Sequence, residues 1–121
     1  MPPSLTRLVV YTHVMQAMVQ FYTVHFGYTA LTDPQDRIVE LRPPGPGFYL
    51  LLHPAAKGQK AGQVLVKLVF DVADVAGFCA AARLRGLEFG GLHRADGYVF
   101  ANVKDPSGNP VSVSSRAFRG A

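Results

Sequence analysis

Arg7 and Lys67 stand sixty positions apart, and each opens a similar apolar run: Arg7-Leu-Val-Val-Tyr-Thr-His13 and Lys67-Leu-Val-Phe-Asp-Val-Ala73. A guanidinium offers a planar fork and an ammonium a point charge, so the two could clamp an anion. They could equally be long side chains that lay their stems along an apolar edge with their charges in water. Glu40 and Asp71 are the carboxylates placed to neutralise them, and if they do so the ligand is neutral. In a strand alternate residues share a face. Arg7, Val9 and Tyr11, then Tyr49, Leu51 and His53, then Lys67, Val69 and Asp71, and finally Ser112 and Ser114 therefore form faces of mixed polarity. Such a mixture suits a cavity with a few chosen polar groups better than a dry core. Tyr11, Tyr49 and Phe100 supply aromatic wall, and Arg7, Lys67, His53 and Asn102 polar contacts. Ser112 is either a small strand residue or a hydroxyl donor to a ligand.

Nucleophilic catalysis finds little support. Ser112, Ser114 and Ser115 lack an elbow or triad signature. Cys79 lies in an alanine-rich stretch, where it reads as a small buried thiol. His53 is expected to be the one histidine on a cavity face, with Glu40 the nearest carboxylate for a weak metal site; His13, His25 and His93 read as solvated, His93 in a loop.

These residues need elements to hold them. Leu5 to Thr12 reads as a strand, and Met15 to Phe26 as a helix with Met18, Phe21, Tyr22 and Phe26 on one stripe and Gly27 as left-handed cap. Strands are expected near Tyr28–Leu31, Arg37–Leu41 and Phe48–Leu52, with a link over Pro54–Gly62. The pattern then restarts: a strand over Val64–Val72, a helix capped by Asp74 and ending in Arg83-Leu-Arg-Gly86, and strands near Glu88–Gly90, Tyr98–Val103 and Val111–Ser114. Asp105-Pro-Ser-Gly-Asn109 is the turn before the last strand. The chain is thus two βαβββ modules, about residues 5–54 and 63–116, neither large enough to bury its apolar face alone. The fold class is α+β, with helices on one face of the sheets.

At 121 residues, 49% hydrophobic and 17% charged, the chain fits one globular domain. The net charge is +4, but the twelve Lys and Arg residues are scattered, which argues against a nucleic-acid surface. No apolar run approaches the roughly 20 residues that span a bilayer, so no membrane partner is expected and the cytoplasm is the default location.

The Asp105-Pro-Ser-Gly-Asn109 turn, Phe21-Tyr22, Gly27 and the duplication together make the chain resemble the vicinal oxygen chelate superfamily. That group includes glyoxalases, ring-cleaving dioxygenases and the bleomycin and fosfomycin resistance proteins. The resemblance implies a curled mixed sheet around a cleft, and metal ligands on the first and last strands of each module. Counted onto this sequence, those ligand positions fall on Arg7, Lys67, Leu51 and Ser112, none a usual ligand, so no metal and no other cofactor is expected. The leading expectation is a metal-independent binder of a small molecule, a homodimer as family members commonly are. Binding residues would be Arg7, Tyr11, Glu40, Tyr49, His53, Lys67, Asp71, Phe100, Asn102 and Ser112. The alternatives are a lyase or dioxygenase with an atypical site built on His53 or His93, and a dimeric structural or regulatory module without ligand.

Overall fold

A computed structural model describes residues 2–120. The chain divides into two compact units, residues 1–61 and 62–121. In the first, β1 (Arg7–Thr12) leads into α1 (Met15–Phe26), followed by β2 (Thr29–Leu31), β3 (Val39–Arg42) and β4 (Tyr49–Pro54). The sheet order is β1-β4-β3-β2, with β1 parallel to β4 and the other pairs antiparallel. Parallel pairing of β1 with β4 requires the chain to cross over, and α1 begins that crossover. Its buried stripe, Met18, Phe21 and Tyr22, lies on the face where Leu41, Leu50 and Leu52 are also buried. The helix ends on Gly27 at φ 70°, a left-handed position that a Cβ disfavours. Its start carries no side-chain cap, since Val14 occupies the capping position.

The second unit repeats the plan. β5 (Leu68–Asp71), α2 (Val75–Leu84), β6 (His93–Ala95), β7 (Tyr98–Lys104) and β8 (Pro110–Ser114) form a sheet of order β5-β8-β7-β6, again with the first and last strands parallel. A short 3₁₀ turn over Arg116–Phe118 follows. Asp74 caps α2, its carboxylate accepting from the Gly77 N–H at 3.0 Å. Val75, Ala82, Ala101, Val111 and Val113 are buried. The fold is therefore α+β, two tandem βαβββ modules with four-stranded mixed sheets that do not close into barrels.

Four expectations change. The strand predicted over Val64–Val72 contracts to β5, because its partner β8 begins at Pro110 and leaves residues 64–66 without a ladder; Val64, Leu65 and Val66 are exposed. Glu88–Gly90 is not a strand, although the Gly90 N–H still donates to the Asn102 carbonyl at 2.9 Å. The strand at that point is β6, three residues later, joined to β7 by the two-residue Asp96-Gly97 loop. Consequently His93 is a strand residue and not a loop one. Tyr28 precedes β2 and packs inward, its hydroxyl donating to the Phe48 carbonyl at 3.0 Å.

The Asp105–Asn109 turn fixes the β7–β8 register. Asp105 Oδ1 accepts from the N–H groups of Ser107 and Asn109, and Oδ2 from Asn109 Nδ2, all at 2.9 Å. Asp105, Ser107 and Asn109 are buried. Gly108 adopts φ 82°, and a Cβ there would lie 3.2 Å from the Gly62 Cα.

Candidate functional site

Each sheet has one face toward its helix and one away from it. In module one, Leu8 and Val10 alternate with exposed Arg7, Val9 and Tyr11, while buried Leu50 and Leu52 alternate with half-buried Tyr49, Leu51 and His53. Register sets Arg7 beside Tyr49, Val9 beside Leu51 and Tyr11 beside His53, with Glu40 across from Leu51. These neighbours interact. The Arg7 guanidinium lies 4.4 Å from the centre of the Tyr49 ring, and its Nε is 3.6 Å from Glu40 Oε1. The Tyr11 and His53 rings are 5.1 Å apart. His53 Nδ1 donates to the Pro54 carbonyl at 2.7 Å.

In module two Val69 and Asp71 on β5, Ser112 and Ser114 on β8, and Phe100 and Asn102 on β7 share the helix-free face, and Lys67 immediately precedes β5. Lys67 Nζ donates to Asn102 Oδ1 at 3.1 Å and stands 5.6 Å from the Phe100 ring centre. Asp71 pairs in register with Ser114 and forms no ion pair with Lys67 among the described residues. The buried Ser112 hydroxyl donates to the Ala101 carbonyl at 3.1 Å, so its proton serves the sheet.

Several residues of this face were not foreseen. His93 stacks on Phe100, with ring centres 5.0 Å apart and planes 23° from parallel, so His53 is not the one histidine on a helix-free face. Tyr98 lies 6.1 Å from Phe100, and the guanidinium groups of Arg116 and Arg119 approach its ring at 5.2 and 6.0 Å. The Asp96-Gly97 pair, a strong hairpin signal, would have located β6 and with it His93. The remaining histidines stay apart. His13 Nε2 donates to the Gln59 carbonyl at 2.6 Å, and His25 packs edge-on to Phe21 at 5.5 Å instead of standing in solvent. Cys79 is half-buried, and desolvation raises its pKa.

The residues at the four positions that the resemblance assigns to metal ligands do not fit a divalent ion. Arg7 and Lys67 are cations without a free lone pair, Leu51 has no donor atom, and Ser112 offers only a neutral hydroxyl oxygen, which alone does not hold a divalent ion. Glu40 is turned to Arg7. Among the described residues no group of three or more His, Cys, Asp or Glu side chains could hold a metal.

A repeated βαβββ module with a mixed sheet, a covering helix and this Asp-Pro-Ser-Gly-Asn turn defines a class of paired-module proteins. The chain belongs to the Glyoxalase/Bleomycin resistance protein/Dioxygenase superfamily, whose family model matches residues 4–113. Solved structures agree on the fold. TnmS3, an antibiotic binding protein from Streptomyces sp. CB03234, superposes with a TM-score of 0.77 at 23% identity over 93% of this chain and 96% of its own. A glyoxalase/bleomycin resistance protein from the same organism gives 0.70 at 23% over 91% and 98%. A lactoylglutathione lyase from Agrobacterium tumefaciens gives 0.74 at 19% over 99% and 98%. No curated protein sequence matches the chain. No helix among the described residues is long and apolar enough to cross a membrane.

Proposed function

We propose that this chain is a small-molecule-binding protein that works without a metal, in the cytoplasm and as a homodimer. The observation that carries the reading is the chemistry at matching places in the two modules. Where the family resemblance calls for metal donors, each module instead has a cation at or just before the start of its first strand and near an aromatic ring, Arg7 by Tyr49 and Lys67 by Phe100. Aromatic surface with a few fixed polar groups is what a planar polar ligand needs. Tyr11 and His53 extend this surface in module one, and Asn102 with Asp71 adds polar contacts in module two. Ser112 contributes as a lone-pair acceptor. The reading is supported by the shared fold of TnmS3, an antibiotic binding protein. The net charge of +4 disfavours strongly cationic ligands such as the glycopeptide bleomycin.

Elemental analysis of protein purified without chelator, combined with a thermal-shift screen before and after chelation, tests the proposal. A binder should raise the melting temperature equally in both preparations, because a ligand that favours the native state stabilises it by mass action. Near one equivalent of nickel, zinc, iron or manganese per chain, lost on mutating His53 or Glu40, would overturn it.

A further inference from the structure

The strand registers allow the two helix-free faces to be compared residue by residue. Val9 pairs with Leu51, which pairs with Glu40; Val69 pairs with Ser112, which pairs with Asn102. Glu40 and Asn102 thus occupy the same place in their modules, each near the cation at or just before the start of the first strand. In module one that place is a carboxylate, 3.6 Å from Arg7. In module two it is a neutral amide, whose Oδ1 accepts from Lys67 at 3.1 Å. The Arg7 charge is therefore compensated within its own sheet, whereas Lys67 has no carboxylate partner among the described residues. An ammonium has three donors and an amide nitrogen two. One Lys67 donor is used on Asn102, and the Asn102 amide nitrogen stands at the same spot. Beside this pair lies an aromatic surface, Phe100 with His93 stacked at 5.0 Å and Tyr98 at 6.1 Å.

We propose that the helix-free face of module two recognises a planar aromatic carboxylate, its carboxylate held by Lys67 Nζ and Asn102 Nδ2 and its ring against Phe100 and Tyr98. The proposal rests on the small-molecule-binding reading above and assigns the charge selectivity to Lys67, with Arg7 excluded from it by Glu40. A carboxylate accepts from both donors and carries the charge that strengthens the bond from Lys67; a neutral amide of the same shape can accept but lacks that charge.

The test uses the full chain and two probes of the same shape, 2-naphthoate and its neutral isostere 2-naphthamide, titrated by heteronuclear NMR at low ionic strength. The wild type should bind the carboxylate about tenfold more tightly, the lower range for a charge-assisted contact, since Lys67 is exposed. Lys67→Met should remove that preference. Asn102→Asp should also remove it, by giving Lys67 the carboxylate that Arg7 already has. Lys57→Met, which removes a positive charge from the other unit, should keep it. A preference that survives both Lys67→Met and Asn102→Asp but disappears in Arg7→Met would overturn the assignment while leaving the small-molecule reading intact. If neither probe nor any member of a chemically mixed fragment set shifts a resonance at millimolar concentration, the binding reading itself fails, and this inference with it.

Discussion

Replacing Asp105 by alanine should destabilise the protein more than any substitution on the helix-free faces. The carboxylate accepts three hydrogen bonds at 2.9 Å within one turn, from the Ser107 and Asn109 N–H groups and from Asn109 Nδ2. All three residues are buried, at 4%, 6% and 7% exposure, so water cannot fully replace the lost acceptor. An orphaned buried donor costs about 1–3 kcal/mol, and because the three share one side chain and the void can admit some water, their costs do not add in full. The expected loss is about 3–4 kcal/mol. For a domain of this size that corresponds to a fall in Tm of roughly 10–20 °C. Urea unfolding followed by circular dichroism measures it. The Asp105→Asn variant retains one carbonyl oxygen for the two backbone donors and should lose about half as much. The turn joins β7 to β8, so amide resonances of Asn102 and Ser112 should move in both variants. A loss below about 1 kcal/mol for Asp105→Ala would refute the reasoning, since it would mean that solvent satisfies the turn as well as the carboxylate does.

Three further outcomes are expected. Burial raises the pKa of Tyr28, so its neutral form is favoured in the folded state; the resulting stability is complete below the ordinary value of 10.0 and is lost as pH rises through the folded value. Urea midpoints should therefore fall at high pH in the wild type and less steeply in Tyr28→Phe, which also forfeits about 1 kcal/mol for the bond to Phe48. Asp74→Ala should cost about 1 kcal/mol by removing the α2 cap, and Val14→Asp should recover a similar amount by supplying the cap that α1 lacks, both read from denaturant midpoints. Sedimentation equilibrium should find a dimer at tens of micromolar, because each sheet ends in edge strands that favour pairing with a second chain; a monomer throughout would contradict the homodimer proposal.

What the sequence determined by itself was whatever depends on neighbours along the chain. The first helix runs from Met15 to Phe26 and ends on a left-handed Gly27, as the apolar spacing and the glycine require. Asp74 caps α2, and the alternation along β1, β4, β5 and β8 separates the two sheet faces, because a period of two is a local property of extended chain. The duplication is likewise legible, since it repeats over sixty positions. Pairing across the sheets was beyond its reach. The length of β5 depended on where β8 begins, and the place of β6 on a two-residue turn that competed with the alternating Leu87-Glu88-Phe89. Most consequential for the site is the choice of partner for each cation. Glu40 and Asp71 looked equivalent as counter-ions, yet the register set Glu40 near Arg7 and gave Lys67 the amide of Asn102, thirty-five residues away. Local pattern fixes the face on which a side chain stands; the strand register, closed by the whole chain, decides which charge it meets.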